Sequence, residues 1–232
     1  MSSRHNRQGR SVLGILGGMG PEATVNFQRE LLQETPASKD QDHITTLVSN
    51  DPKIPDRNVA ILDGGKSPLT LLQSNALMLE TAGADAIAMP CNTAHYYFDE
   101  IRENIDIELI NMIRITVDEV QRQGLRQVGL VATSTVIECK IYDFYFDESS
   151  INLVKPMNVN KLMKAIYEVK AGDNETAARI LSKEIDNFEK LGCQGLVIGC
   201  TDLSLLNWRS RMRTFDSVKL LAKECVRNFR NL

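Results

Sequence analysis

The sequence lacks the marks of several protein classes. No apolar run approaches the roughly 18 residues of a membrane-spanning helix, so no membrane partner is expected. Lysine and arginine number 27 against 30 aspartates and glutamates, a net charge of −3. No basic excess therefore points to nucleic acid or to an anionic lipid surface. Cysteine is sparse: five residues, an odd number, without paired metal-ligand spacing. That gives neither a disulfide framework nor a zinc site, and no metal is expected. Residues 1–11 are basic and polar with no apolar stretch behind them, which reads as a mobile tail rather than a secretory signal. Reduced thiols in the cytoplasm are the expected setting.

Against these absences stand 232 residues of which 43% are hydrophobic, enough for one large domain or two small ones. Two segments look like copies of each other: Gly83-Ala84-Asp85-Ala86-Ile87-Ala88-Met89-Pro90-Cys91-Asn92-Thr93 and Gly192-Cys193-Gln194-Gly195-Leu196-Val197-Ile198-Gly199-Cys200-Thr201-Asp202. Each opens on a glycine able to stop a helix. Each then runs through small and apolar residues to a turn and a cysteine. Such a run between turn signals reads as a strand buried on both faces. Cys91 and Cys200 are thus expected at the ends of two parallel strands, where α/β proteins bind ligands.

A second pair of segments matches as well. Val128-Gly129-Leu130-Val131-Ala132-Thr133-Ser134 lies over Leu13-Gly14-Ile15-Leu16-Gly17-Gly18-Met19 at an offset of 115 residues, and the cysteines are offset by 109. Nearly equal offsets argue for duplicated halves. Strand and helix alternate throughout, which predicts an α/β fold of two pseudo-symmetric domains, each a mostly parallel sheet flanked by helices. The first half ends near residue 113, and the site is expected between the two halves. Helices are expected near 93–103 and 135–146. The two prolines of residues 49–57 predict an irregular loop there, carrying Arg57 beyond a strand end.

The chemistry follows from two thiols facing one small substrate. A cysteine at a strand end that opens a helix lies near unpaired N–H groups, which favour thiolate. One thiolate can remove a proton from a carbon held between the pair while the opposite thiol returns one to the other face. The result is inversion without redox change, and the pKa values belong to the pair. Charge on the forming carbanion must be met by preorganised donors, for which Asn92, Thr93, Thr201 and the Gly17–Gly20 loop are local candidates. Arg57 can grip a carboxylate through its planar fork. His95 either tunes Cys91 or ties backbone; Asp202 either steers the protonation of Cys200 or caps a helix. Cys139, Cys193 and Cys225 read as small core residues. Gly18-Met19-Gly20-Pro21-Glu22-Ala23 fits a dinucleotide-binding pattern, but no acidic residue closes a second strand at the expected distance.

Taken together, Gly14 to Thr24, Ser49-Asn50 with Pro52 to Arg57, Met89 to His95, Gly199-Cys200-Thr201 and Ile166 to Gly172 resemble the motifs of the aspartate/glutamate racemase family. The resemblance covers nearly the whole chain after the tail. It implies cofactor-independent racemisation of an acidic amino acid, aspartate before glutamate, in the cleft between two domains of a homodimer, with the last helix returning so that residues 12–113 plus 215–232 make the first domain and 114–214 the second. By matching position it makes Cys91 and Cys200 the acid/base pair and Arg57 and Lys170 the carboxylate ligands. Asn92, Thr93 and Thr201 fall around the α-carboxylate, and Met19, Thr133 and Ser134 complete the substrate-binding set. The same superfamily would also accommodate a hydantoin racemase or a small-diacid isomerase, and a non-catalytic carboxylate-binding protein is the reading from another class. The chain departs from the family pattern at Asp202, where glutamate is usual, at Thr135-Val136, where Gly-Thr is usual, and at Lys140, where glycine is common.

Overall fold

The computed structural model describes residues 11–206 and 210–230. The tail expected over residues 1–11 lies, Ser11 apart, outside the described residues, as does Trp208. The first half runs β1 (Val12–Gly17), α1 (Pro21–Glu34), β2 (Thr45–Asn50), α2 (Arg57–Leu62), α3 (Leu69–Thr81), β3 (Ala86–Ala88), α4 (Phe98–Arg102) and β4 (Glu108–Ile110). After α5 (Met112–Arg122) come β5 (Gln127–Ala132), α6 (Ser134–Glu138), α7 (Asp143–Asp147), β6 (Asn152–Val154), α8 (Val159–Ala171), α9 (Asn174–Lys190), β7 (Gly195–Gly199), β8 (Arg213–Asp216) and α10 (Ser217–Arg230).

The strands form two parallel four-stranded sheets of the same topology, ordered β2-β1-β3-β4 and β6-β5-β7-β8. β5 takes the place of β1 and β7 the place of β3, so the strand leading to each cysteine is central and pairs with the first strand of its half. Central strands of a sheet covered on both faces need continuous apolar sequence. β1 and β7 are accordingly buried along their whole length. This is the two-half α/β architecture that the alternating pattern predicts.

Helices fill the flanks by their apolar stripes. Leu162, Ala165, Ile166 and Val169 of α8 and Leu181, Ile185 and Phe188 of α9 pack on Leu196 and Ile198 of β7. Val218, Leu221, Ala222 and Cys225 of α10 pack with Leu13 and Ile15 of β1 and Phe27 of α1. α5 is shared: Met112 joins that cluster, while Ile113, Val117 and Val120 join β5, Val197 and Phe215. Each fully buried Val, Leu, Ile, Phe or Met among them contributes roughly 1.5–3 kcal/mol.

Two expectations are corrected locally. The helix expected over residues 93–103 is a 3₁₀ segment, Thr93–Tyr97, that passes into α4. The single helix expected over 135–146 is two short ones, α6 and α7, broken where Lys140 takes a left-handed backbone at φ 53. That conformation costs a side-chain-bearing residue about 1–2 kcal/mol relative to glycine's freedom. Lys140→Gly is therefore expected to raise stability by about 0.5–1 kcal/mol after the added chain entropy of glycine. The midpoint of urea unfolding checks this, and Lys140→Ala is expected to give no gain.

Candidate active site

The opening loop is set by contact with the loop after β2. Gly18 has φ +93, and a Cβ there would lie 2.2 Å from the Asp51 carbonyl oxygen, so no other residue fits without moving backbone. Thr24 locks the loop from α1: its hydroxyl accepts from the Gly18 N–H at 2.9 Å and donates to the Gly20 carbonyl at 3.0 Å. The loop thereby meets residues 52–57 along one rim of a cavity. Gly18, Gly20, Glu22, Ile54, Asp56 and Arg57 line it from the first half, and Val169, Lys170, Asp202 and Leu205 from the second. Its volume is about 390 Å³, within the range of small-molecule sites.

Charge in this cavity is distributed unevenly. Asp56 caps α2, accepting from Asn58 N–H at 2.8 Å and Val59 N–H at 3.2 Å. Burial opposes its ionisation, but those N–H groups and the neighbouring Arg57 and Lys170 hold its carboxyl below the usual range. Arg57, at the first position of α2, is 7% exposed. One terminal nitrogen donates to the Pro55 carbonyl at 3.1 Å, and its buried Nε has no hydrogen-bond partner. A buried guanidinium N–H without an acceptor is costly. It lies in the wall of a cavity, which makes an anion the natural acceptor.

Lys170 ends α8 with its side chain 31% exposed, 3.6 Å from the Asp202 carboxylate. Desolvation alone would lower its pKa, yet Asp202 and Cys200 outweigh it and the net shift is upward. Asp202 in turn is pushed up by burial, against the pull of Lys170 and Arg57. The Cys200 thiol points toward Asp202, with Sγ 3.9 Å from Oδ2. Here a sequence-based expectation reverses. The backbone N–H groups of Asp202 and Leu203 do favour thiolate, but burial first, and the Asp202 carboxylate second, drive the pKa of Cys200 well above the ordinary value. Cys200 rests as a thiol.

Cys91 follows β3 as Cys200 follows β7, and both are 4% exposed. Neither is among the residues lining this cavity; Cys91 belongs to the buried cluster of Leu16, Met19 and Met89, and Cys200 to that of Leu203 and Leu206. His95 does not spend its ring on the Cys91 thiol. Nε2 accepts from the Met112 N–H at 3.1 Å, so Nδ1 carries the hydrogen and donates to the Cys91 carbonyl at 2.8 Å. The imidazole pins the backbone beneath the cysteine. Burial lowers its pKa to about 4, with the Cys91 bond opposing. The unfolded chain takes up a proton below about pH 6.5 that the folded one refuses until about pH 4. Stability present above pH 6.5 is thus expected to fall by up to about 3 kcal/mol on acidification through that window. Urea unfolding against pH checks it, and His95→Gln should flatten the slope.

The remaining residues of interest are distributed along the junction of the halves. Thr93 and Thr133 share a hydrogen bond of 3.0 Å, and the Thr135 hydroxyl donates to Asn58 Oδ1 at 2.8 Å. Thr135 is thereby committed to α2, and Val136 is fully buried. Thr133 also caps α6 through the Val136 N–H. Asn92 Oδ1 accepts from the Tyr142 hydroxyl at 2.7 Å and its Nδ2 donates to Ser217 at 3.0 Å. Met19 and Thr201 are buried at 3%. Ser134 is half-buried, with its N–H 3.2 Å from Met163 Sδ, and it does not line the cavity. Sequence reasoning missed Asn58, Tyr142 and Ser217. Their partners lie far along the chain, and no local spacing flags them.

The comparisons with known proteins agree with the two-half α/β fold. A family model described as Asp/Glu/Hydantoin racemase matches residues 16–225. The chain is 27% identical over 238 residues to the broad specificity amino-acid racemase RacX of Bacillus subtilis (strain 168), covering 94% of this chain and 98% of that one. Among solved structures, Picrophilus torridus aspartate racemase is 31% identical with a TM-score of 0.87, and 94% of each chain is covered. Glutamate racemase from Francisella tularensis, in complex with D-glutamate, shares the fold at 17% identity and a TM-score of 0.64, covering 94% of this chain and 80% of that one.

Proposed function

This chain belongs to the Asp/Glu/Hydantoin racemase family, and from that premise we propose that it racemises an acidic amino acid, aspartate first and glutamate next, without a cofactor. The observation that carries the reading is the placement of Cys91 and Cys200 after the equivalent strands β3 and β7 of twin sheets. A duplicated scaffold offers one thiol to each face of a stereocentre. One sulfur, as thiolate, takes the α-proton; the C–H electron pair passes to the α-carbon and its carboxylate; the opposite thiol gives its S–H proton to the other face. Thiolate and thiol have then exchanged roles, and the next turnover runs from the other side.

Arg57 and Lys170 grip carboxylate, with the unpaired Nε of Arg57 the strongest support for an anion. Asn92 keeps one N–H beyond its bond to Ser217, and with Thr93 and Thr201 it meets charge on the α-carboxylate. Cys200 starts as the protonated member. Because both cysteines are 4% exposed and neither is among the residues lining the cavity, the reading includes an opening step at the Lys170–Asp202 pair before the α-carbon reaches them. A homodimer belongs to the same reading; sedimentation at twice the 26.0 kDa chain mass checks it.

Solvent exchange tests the function. In D₂O, L- and D-aspartate are each expected to yield the opposite enantiomer carrying deuterium at the α-carbon, with no added cofactor. Exchange from neither enantiomer of aspartate or glutamate overturns the proposal and leaves a carboxylate-binding protein.

A further inference from the structure

A buried chain of hydrogen bonds joins the segments that carry the two cysteines. The Tyr142 hydroxyl donates to Asn92 Oδ1 at 2.7 Å, Asn92 Nδ2 donates to Ser217 Oγ at 3.0 Å, and the Ser217 hydroxyl donates to the Ile198 carbonyl at 2.8 Å. Asn92 follows Cys91 directly, and Ile198 stands two residues before Cys200. Tyr142, Ser217 and Ile198 are fully buried, and Asn92 is 2% exposed. Each hydroxyl has a single proton to give. Ser217 spends its proton on Ile198 and so must accept from Asn92; the amide orientation and the direction of the whole chain are thereby fixed. Burial keeps the Tyr142 phenol neutral and a donor. The backbone around Ser217 is held as well: Asp216 Oδ1 accepts from the Val218 N–H and the Ser204 hydroxyl, both at 2.9 Å. Other hydrogen bonds cross between the halves among the described residues, including Thr93 to Thr133, Thr135 to Asn58, Asn111 to Tyr145 and Ser204 to Asp216; none of these four ends on the segment before Cys200.

We propose that Tyr142 and Ser217 are positioning residues that act through Asn92 and Ile198 as a spacer of fixed length, setting the gap between the two thiols. The inference rests on the racemase reading above. A proton moved from one face of a carbon to the other needs both sulfurs at reacting distance at once. Misplacement by about 1 Å is enough to cost on the order of 10²-fold in rate. Bonds with no water to replace them hold such a gap more closely than packing alone.

Tyr142→Phe and Ser217→Ala test the spacer, with Thr35→Val as control. Thr35 is another buried hydroxyl, bonded to the Leu31 carbonyl at 2.6 Å in α1, so its loss carries a comparable stability cost without touching either cysteine segment. The expected result is a fall in kcat of about 10–100-fold with KM for aspartate within about threefold. In D₂O the wild-type protein labels product and leaves recovered substrate unlabelled at early times. A loosened gap lets the abstracting thiol exchange and return deuterium to the same face, so label appears in recovered substrate of the two spacer variants and not of Thr35→Val. Wild-type kcat and wild-type label partition in both spacer variants overturn the proposal. A second readout is independent of turnover. Iodoacetamide labelling, followed by peptide mass spectrometry, is expected to change at least threefold at both Cys91 and Cys200 in the spacer variants and to stay constant at Cys193. Unchanged rates at both thiols overturn the spacer even if the wild-type protein is inert toward aspartate, an inertness that would sink the functional reading instead.

Discussion

Cys91→Ser and Cys200→Ser are each expected to reduce aspartate racemisation by about 10²–10⁴-fold, the usual contribution of a positioned acid or base. A serine hydroxyl matches the shape of the thiol but stays protonated at neutral pH, so it neither removes the α-proton nor takes its turn as conjugate acid. The double variant is expected to be little worse than the poorer single one, because two residues that act as a unit do not give additive losses. Both cysteines are 4% exposed, and a buried hydroxyl without a partner costs about 1–3 kcal/mol. Alanine variants, with circular dichroism to confirm folding, separate that cost from catalysis. Label exchange adds a sharper requirement. Each single variant should retain α-hydrogen exchange with one enantiomer, and the two variants should retain opposite ones. If both keep exchange with the same enantiomer, the thiols do not serve opposite faces.

Arg57→Ala is expected to lower kcat/KM for aspartate by about 10²–10³-fold, in line with about 2–5 kcal/mol for truncating one partner of a buried charged pair. The argument rests on its environment. Arg57 is 7% exposed, anchored through Pro55, and keeps an unpaired Nε in the wall of the cavity. Arg57→Lys should recover little, because an ammonium cannot reproduce the planar fork. Lys170→Ala is expected to do less harm, since its side chain is 31% exposed and already holds Asp202. Inhibition by succinate, which carries two carboxylates and no α-ammonium, checks the assignment without turnover. A wild-type inhibition constant in Arg57→Ala would remove Arg57 from the carboxylate site.

Asp202 links these two effects. It stands between Lys170 at 3.6 Å and Cys200 Sγ at 3.9 Å, so a substrate carboxylate that draws Lys170 away alters the charge beside the thiol. By the resemblance to the racemase motif, aspartate stands at 202 where glutamate is expected. What the shorter side chain reaches depends on α8 lying across the end of β7, and α8 begins 43 residues before Asp202.

Much of the architecture was legible because it is written in local signals. Apolar runs marked the buried strands, and glycines marked helix ends at Gly83 and Gly192, both at positive φ. The two near-equal offsets marked the duplication that the twin strand orders display. The break at Lys140 was not legible as a break, because nothing in the pattern of residues 135–146 forbids one continuous helix. The departure from glycine was the sole hint of left-handed backbone there.

The sequence by itself determined the parts: two apolar strands each ending in a cysteine, an arginine after a proline-bounded loop, and an alternation that folds only as parallel sheets under helices. These follow from short-range sterics and from the burial of apolar side chains, which a stretch of ten residues can encode. The tertiary structure decided their state. It turned His95 onto backbone, left Arg57 with an unpaired donor, raised the pKa of Cys200 through burial and Asp202, and tied Asn92 to Tyr142 and Ser217 across 50 and 125 residues. Protonation, hydrogen-bond partners and the gap between two loops depend on what distant segments bring within a few ångströms, and no local pattern carries that distance.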